Sequence, residues 1–276
     1  MELWILSHEP QFRSIAFFGI LLIMAIAEIV FPRRKLTQKK TIRWFNNLTL
    51  VVTNTLVLRF LMPVLAVQAA GYVAERGWGL LNQVHLPAGV GLISALLLLD
   101  LAIYLQHVMV HALPLLWRLH RMHHADLDFD VTNGARFHPL EILLSMLIKL
   151  MVVVLLGPSP LAVICFEVIL NGTAMFNHAN LKLPLRLDAF LRLWVVTPDM
   201  HRVHHSSAKV ETNSNYGFSS PWWDYLFGTY RAQPALGHQE MQIGIDQFRF
   251  ERELWLDKML TQPFRGQSGI YPINRG

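Results

Sequence analysis

Eight of the thirteen histidines in this 276-residue chain fall into three tight clusters. Imidazole is a good ligand for Zn, Fe, Cu and Ni, so clusters of this kind predict a metal site. The stretch Trp117–Asp128 contains the first H-x-x-H-H triplet, and a near copy of it returns some eighty residues later. The clusters are the pair His107 and His111, the triplet His120, His123 and His124, and the triplet His201, His204 and His205.

Helical geometry gives these spacings a chemical meaning. Residues i and i+4 share one face of a helix, so His107 and His111 can point at one place. In H-x-x-H-H the histidines at i+3 and i+4 lie on either side of the first, so one triplet can serve two adjacent metals. The alternative, an ordinary core or surface histidine, fits the isolated His8, His85 and His238. It fits the clusters poorly, since crowded neutral imidazoles beside a membrane are costly without a shared cation.

The composition of the chain indicates that these histidines belong to an integral membrane protein. The chain is 53% hydrophobic and 16% charged, and its mean hydropathy is positive. Its net charge of +5 does not indicate nucleic-acid binding, because the basic residues flank apolar runs and form no stripe. The single Cys165 lies in an apolar run, which is typical of a small core residue.

Five apolar segments are separated by polar or turn-forming residues. A basic loop, Pro32–Lys35, follows the first segment and should stay in the cytoplasm, which places the N-terminus outside. Gly157–Pro160 predicts a turn between the last two segments. We expect an all-α integral membrane protein with about four transmembrane helices and a cytoplasmic, histidine-rich helical cap. The apolar segments are Ser14–Phe31, Leu48–Val73, Gly89–Val110, Leu140–Leu156 and Leu161–Phe176.

Charged residues inside apolar segments call for partners, because isolated charges in lipid are expensive. Glu28 and Arg59 can pair across two helices; the alternative is that the Arg59 side chain extends along its helix to the membrane surface. Lys149 and Glu167 lie in the two halves of the predicted hairpin and are a second expected pair. His178 follows Glu167 on the same helical face and lies at the end where the clusters meet, so we predict that it is a metal ligand.

Asp100 and Tyr104 share one helical face with His107 and His111. One interpretation is that Asp100 and Tyr104 orient the imidazoles through hydrogen bonds. The alternative for Asp100 is an ion pair with an intramembrane cation such as Lys149. Both interpretations stay open at the level of sequence.

Two later stretches also allow alternatives. Pro139 and Glu141 favour the start of a helix, and His138 before them can be a ligand, a group that orients a ligand, or a cap. Leu183–Val196 is a basic amphipathic helix that lies either in the membrane interface or against the cap. Thr197 or Asp199 can cap the helix that bears the second triplet.

Taken together, these motifs closely resemble the fatty acid hydroxylase superfamily, often called the sterol desaturase family. The resemblance covers roughly Asp100 to Arg231, and the motifs occur in the family order. They are Asp100–His111, H-R-M-H-H at His120–His124, R-F-H-P-L-E at Arg136–Glu141, F-N-H-A-N at Phe176–Asn180, H-R-V-H-H-S at His201–Ser206, N-Y-G at Asn215–Gly217 and W-D-Y-L-F-G-T at Trp223–Thr229.

The resemblance implies a membrane-bound non-haem di-iron oxygenase that hydroxylates or desaturates a lipid or sterol-like substrate with O2 and external electrons. Its cofactor would be two Fe ions. By motif match the iron ligands would be His107, His111, His120, His123, His124, His178, His201, His204 and His205. The residues expected to support them are Asp100, Tyr104, His138, Glu141 and Asn180. Nine imidazoles would leave open positions for O2, as a catalytic metal requires.

The electrons must come from a separate partner, because the chain has no Gly-rich dinucleotide motif and one cysteine cannot hold an iron–sulfur cluster. A cytochrome b5-like protein or a ferredoxin with its reductase fits this need. We expect one integrated domain with three parts: N-terminal membrane helices (1–99), a catalytic region (100–231) and a C-terminal cytoplasmic tail (232–276). The membrane is a bacterial inner membrane or the endoplasmic reticulum, with the active site on the cytoplasmic side.

Two other classes of function remain as alternatives. A histidine-rich metal transporter would line a path across the bilayer, with carboxylates near the midplane. A membrane di-zinc hydrolase would need a carboxylate base in the cluster, and Asp126, Asp128 or Asp199 can supply one.

Overall fold

Long apolar helices dominate the computed structural model, which describes residues 2–274. Helices account for 66% of the chain, and the described residues form no strand. Within this part of the chain, five helical spans are long and apolar enough to cross a membrane. The prediction of an all-α, multi-pass membrane protein is therefore confirmed.

The chain forms fifteen α-helices and three short 3-10 helices between residues 2 and 274. In chain order the α-helices are α1 (Glu2–Ser7), α2 (Glu9–Val30), α3 (Lys40–Leu61), α4 (Ala66–Glu75), α5 (Leu80–Gln83), α6 (Ala88–Ala112), α7 (Pro114–His124), α8 (Pro139–Leu156), α9 (Pro160–Asn177), α10 (Leu185–Leu191), α11 (Pro198–His204), α12 (Lys209–Thr212), α13 (Trp222–Phe227), α14 (Gly237–Glu240) and α15 (Leu256–Thr261). The 3-10 helices are Val131–Ala135, Glu251–Leu254 and Gln262–Phe264.

The hairpin predicted around Gly157–Pro160 consists of two separate helices, α8 and α9, of 18 residues each. At 1.5 Å per residue, each reaches about 27 Å, close to the thickness of a bilayer core. This hairpin brings the number of candidate spans to five, where the sequence predicts about four. The spans are Glu9–Val30, Lys40–Gln83, Ala88–Ala112, Pro139–Leu156 and Pro160–Asn177.

Local sequence determines how the hairpin turns. Pro160 occupies the first turn of α9, and the Ser159 hydroxyl accepts a hydrogen bond from the Ala162 amide at 3.2 Å. Gly157 ends α8 with a positive φ of 65°. A Cβ at this position would lie 2.4 Å from the Trp78 carbonyl oxygen, so the close approach also requires glycine.

Helix α9 lies at the centre of the bundle and packs against α2, α4 and α6. The outer helices turn large apolar side chains away from it, as expected for surfaces that face lipid. Examples of such exposed side chains are Ile15, Phe18, Phe60, Ile93 and Leu155.

The basic loop after α2 lies at the same end of the bundle as the histidine clusters. Its Arg33 amide donates a hydrogen bond to the Asn180 carbonyl at 2.9 Å, and the Lys182 amide donates to the Phe31 carbonyl at 2.8 Å. These bonds join the loop to the segment directly after His178. The predicted placement of basic loop and histidines at one common end is thus confirmed.

One of the two predicted intramembrane ion pairs is present. Lys149 and Glu167 lie 2.7 Å apart, and this prediction is confirmed. The predicted pair of Glu28 with Arg59 is wrong. Glu28 instead pairs with Lys40 at 2.9 Å, because the chain turns back after α2 and brings the start of α3 beside it.

Candidate metal centre

Four elements supply the nine predicted ligands. Helix α6 carries His107 and His111 in its last turns, and α7 carries the first triplet. His178 follows the last residue of α9, and α11 with the next residue carries the second triplet. Thr197 caps α11, since its hydroxyl accepts from the Met200 amide at 3.4 Å. All nine histidines are buried, with at most 4% of each residue exposed.

The nine histidines divide into two groups. Within each group, one ligand nitrogen per residue lies within 4.8 Å of the others. The five-histidine group is His107, His111, His120, His124 and His204, and the four-histidine group is His123, His178, His201 and His205. Each H-x-x-H-H triplet contributes to both groups: its i and i+4 histidines belong to one group, and its i+3 histidine belongs to the other. This is the arrangement that two adjacent metals require.

Most of these imidazoles have one nitrogen fixed by an outward hydrogen bond. The Nδ1 atoms of His107 and His204 donate to the carbonyls of Tyr216 and Ser214, both at 2.8 Å. The Nδ1 atom of His178 donates to the Ala174 carbonyl, also at 2.8 Å. A proton on Nδ1 leaves the lone pair on Nε2, which is the form that binds a metal.

The Nε2 atoms turn inward and lie close together. Those of His178 and His201 are 3.1 Å apart, and those of His120 and His124 are 3.2 Å apart. Two imidazole nitrogens bound at right angles to one ion with bonds of about 2.1 Å would be about 3 Å apart, so the spacing fits a shared cation. Other Nε2 atoms in the cluster are buried without any hydrogen-bond partner: those of His107, His111, His204 and His205. The residues present therefore fit a metal centre.

Burial keeps these imidazoles neutral. Burial, followed by the neighbouring His120, lowers the pKa of His204 to about 3. Burial, followed by the proximity of His123, also holds the pKa of His205 well below its ordinary value. A neutral imidazole has the free lone pair that a metal needs.

Comparison with known proteins places this chain in a family. The fatty acid hydroxylase family model matches residues 92–229, half of the chain, and this match contains all nine histidines. The chain belongs to the fatty acid hydroxylase family. Members of the family are hydroxylases and monooxygenases, that is, oxidoreductases that act on lipids or sterols.

Several characterised members of the family are similar to this chain. An ornithine lipid hydroxylase from Rhizobium tropici is 26% identical, over 83% of this chain and 70% of its own length. A human alkylglycerol monooxygenase is 28% identical, over 51% of this chain but only 30% of its own length. Human cholesterol 25-hydroxylase is 25% identical over 51% of each chain. No solved structure matches the chain.

Two residues of the motif R-F-H-P-L-E, Glu141 and His138, make different kinds of contact. The Glu141 carboxylate lies 2.6 Å from Nδ1 of His120 and so orients a histidine of the five-histidine group. His138 caps α8 instead: its Nδ1 accepts from the Leu140 amide, and its Nε2 lies 3.1 Å from the Leu260 carbonyl. Both its nitrogens are engaged in these bonds, which favours the cap among the three roles left open for His138.

The expected roles of Asp100 and Tyr104 differ from what the structure shows. The Asp100 carboxylate accepts from the indole of Trp223 at 2.9 Å, and the Tyr104 hydroxyl bonds to the Thr229 hydroxyl at 2.9 Å. Both side chains thereby hold the W-D-Y-L-F-G-T segment, and their hydrogen bonds go to this segment and to the Ser220 amide rather than to an imidazole. Sequence reasoning missed this because it compared residues on one helix, while the partners come from a segment over a hundred residues later.

Asn180 also lies away from the histidines. Its side-chain amide donates to the Arg34 carbonyl at 2.7 Å and accepts from the Arg34 amide at 3.2 Å. It therefore fixes the basic loop against the end of α9. The expectation that it supports a metal ligand is not met by these contacts.

A buried ionic cluster behind the first triplet was not identified from sequence. Arg43 of α3 contacts the carboxylates of Asp126 and Asp130, and all three are fully buried. Arg136 donates to the Met122 carbonyl at 2.9 Å, and its own carbonyl accepts from Nδ1 of His123 at 3.2 Å. Arginine in its neighbourhood lowers the pKa of Asp126 against the opposing effect of burial. The alternating aspartates after the triplet are the sequence signal that could have revealed the cluster.

Proposed function

We propose that this protein is a membrane-bound non-haem di-iron oxygenase that hydroxylates or desaturates a lipid or sterol-like substrate with O2. The observation that carries the proposal is the pair of buried histidine groups, one of five and one of four, whose Nε2 atoms converge. The proposed ligands are all nine of these histidines. Family membership supports the reaction class, since the members are lipid and sterol hydroxylases or monooxygenases.

The donor set favours iron over zinc. Structural zinc is almost always four-coordinate, and catalytic zinc usually has three protein ligands, so a five-imidazole group exceeds what zinc takes. Six-coordinate iron would accept this group and keep a position free. Two bound iron ions would supply the activation of O2 that an unactivated C–H bond needs. The chain's own residues hold the ions, orient the imidazoles through Nδ1 and exclude water by burial.

The substrate class follows from the position of the centre and from the relatives. The histidines lie at one end of five apolar helices, so a long apolar molecule can reach them from the bilayer. The similar proteins are named for ornithine lipids, alkylglycerols and cholesterol, all of which are amphiphiles. We propose that electrons arrive from a separate donor, either a cytochrome b5-like protein or a ferredoxin with its reductase, and that nucleic acid is not a partner.

We further propose that the active site faces the cytoplasm. The basic loop at Arg33–Lys35 lies at the histidine end, and basic loops stay on the cytoplasmic side. The membrane would be a bacterial inner membrane or the endoplasmic reticulum. Residues 1–99, 100–231 and 232–276 would act as membrane base, catalytic region and cytoplasmic tail of one integrated domain.

The contacts of the nearby carboxylates argue against a di-zinc hydrolase. Asp126 is taken up by Arg43, and Asp128 accepts from the backbone amides of Thr37 and Gln38. Asp199 binds Arg33 at 2.9 Å and also contacts Arg202. None of the three is thus free to act as a general base. A transporter is disfavoured because the histidines gather at one end of the helices and do not line a path between them.

The deciding experiment is metal analysis of protein purified without oxygen from its native membrane. We expect about two Fe per chain, lost when His123 or His204 is replaced by Ala. Iron-loaded protein should consume O2 in the presence of a reductant and lipid extract. Two Zn per chain, with no O2 uptake after iron reconstitution, would refute the oxygenase.

A reaction under 18O2 then distinguishes hydroxylation of the substrate from desaturation. A hydroxylase transfers one atom of 18O2 to the lipid product, while a desaturase yields an alkene without label. Mass spectrometry of the lipid extract distinguishes these products and identifies the substrate.

A further inference from the structure

The last described residues, 262–274, lie against the helices that carry the five-histidine group, although they fall outside the family match at 92–229. Arg121 of α7 is fully buried and donates to the carbonyls of Gln262, Arg265 and Gln267. Three carbonyls on one buried guanidinium bind this segment to the first H-x-x-H-H helix.

The same segment contacts the end of α6. The Ile273 amide donates to the carbonyl of His111 at 3.1 Å. Tyr271 is buried and stacks on Trp117 with ring centroids 5.5 Å apart. Trp117 also lies beside the rings of His111 and His124, at centroid distances of 4.9 and 5.3 Å. The aromatic pair therefore supports two histidines of one group.

Two hydrogen bonds through Asn213 link the segment to the imidazole of His111. The side-chain amide of Asn213 donates to the Tyr271 carbonyl at 2.8 Å. This bond orients Asn213 so that its Oδ1 faces Nδ1 of His111 at 3.2 Å. Asn213 Oδ1 also accepts from the Tyr216 hydroxyl at 3.3 Å. The C-terminal backbone thus sets the amide that holds His111 with Nε2 inward.

We infer that the C-terminal segment 262–274 is a positioning element of the five-histidine group and acts on it through Asn213 and Trp117. The inference rests on the proposed di-metal centre and adds that the two metal positions depend unequally on this segment. The four-histidine group receives its hydrogen bonds elsewhere, from the carbonyls of Ala174 and Arg136. Groups that orient a ligating histidine typically change metal affinity 10- to 100-fold, which is roughly the effect expected here.

The test is an anaerobic titration of purified apo-protein with Fe(II), and with Co(II) to follow the visible spectrum. Wild type should bind two ions per chain. Asn213→Leu should bind one ion as tightly as wild type and the second about 10-fold or more weakly. Asn213→Asp keeps an acceptor for His111 and should restore much of the second affinity. A chain that stops at Thr261 should behave like Asn213→Leu, with helical content checked by circular dichroism.

Asn46→Leu is the matched control. Asn46 is also a buried asparagine that holds the C-terminal region, because its Oδ1 accepts from the Leu256 amide at 2.8 Å, but it touches no histidine. Asn46→Leu should bind two ions per chain, each with the affinity that wild type shows. The inference is overturned if Asn213→Leu binds both ions as wild type does, or loses both equally. If wild type itself binds no metal, the proposed function fails, which is a distinct result. A truncated chain that does not fold leaves the decision to the Asn213 variants in the full chain.

Discussion

At the scale of single residues, most of the ligand imidazoles have an outward hydrogen bond, and the chemistry of the partner varies. Glu141 is the one carboxylate among the described contacts that lies within hydrogen-bond distance of a ligand Nδ1, at 2.6 Å from His120. The other outward bonds go to carbonyls or to an amide oxygen. A carboxylate raises the basicity of the imidazole and fixes its tautomer more strongly than a neutral oxygen does.

Glu141→Ala should therefore weaken metal binding at the five-histidine group by roughly 10- to 100-fold. Glu141→Gln keeps an oxygen acceptor and should lose much less. Equilibrium dialysis with Fe(II) measures both. Wild-type affinity in both variants would show that Glu141 contributes nothing to metal binding through His120.

The buried His238, which lies outside the metal centre, should make the stability of the protein depend on pH. It is buried beside Asp199, Gln233, Arg33 and Arg202, and burial lowers its pKa to about 4 although Asp199 raises it. The unfolded chain binds a proton at pH values below about 6.5, where the folded chain does not, so stability falls as pH drops from 6.5 toward 4. The loss is on the order of 2 kcal/mol after allowance for solvent screening.

His238→Asn removes this proton uptake and should flatten that part of the stability curve. Urea unfolding of the apo-protein in detergent at pH 7, 6 and 5 gives the comparison. The same slope in wild type and variant over this interval would contradict the assignment to His238.

At the scale of elements, the ionic cluster joins the membrane base to the loop after the first triplet. Arg43 of α3 lies between Asp126 and Asp130, and the 3-10 helix Val131–Ala135 carries the loop on to α8. This loop also supplies the carbonyl of Arg136 that holds His123. Helix α3 thus contributes to the centre although it carries none of the proposed ligands.

Arg43→Met should destabilise the protein by about 3–5 kcal/mol, because it leaves the buried Asp130 without this cation and Asp126 with only Arg136 at 3.7 Å. Lys39→Met is a suitable control, since Lys39 is exposed and lies 3.9 Å from Glu251, where a surface pair contributes about 0–1 kcal/mol. Thermal unfolding in one detergent measures both. A small effect for Arg43 would mean that the cluster adds little to stability.

Helix α10 and the residues directly after it bear on the two interpretations of Leu183–Val196. Asp188 of α10 and Arg192 just after the helix form a buried pair at 2.7 Å, whereas Arg186 is exposed. Large apolar side chains also face outward: Phe190 of α10 and Trp194 after it are each 59% exposed. This is the reverse of a helix packed on a soluble cap and favours a helix that lies in the membrane interface.

At the scale of the whole molecule, this outward apolar surface predicts how the protein sits in the bilayer. A fluorophore on Trp194→Cys, in a Cys165→Ser background, should be quenched by lipids brominated near the headgroups. The same label on Glu240→Cys, at another exposed position of the histidine end, should be quenched much less. Equal quenching at the two sites would place α10 outside the interface.

The sequence alone determined the class of protein, the position of the hairpin and the histidines that meet. These features depend on local rules: apolar runs long enough to span a bilayer, Gly and Pro at a turn, and the i, i+3 and i+4 spacing of a helix. The same rules indicated that each triplet can serve two sites, and His178 was placed with them by its position at the helix end.

Only the tertiary structure decided how the nine histidines divide into groups of five and four. It also decided which groups accept the outward hydrogen bonds of the imidazoles. Asp100 and Tyr104 shared a helical face with two ligands, yet their side chains bind a segment far along the chain. Asn213 gave no signal in sequence, because its role depends on a C-terminal carbonyl some sixty residues away. Partners of this kind follow from the packing of distant segments, which local periodicity does not encode.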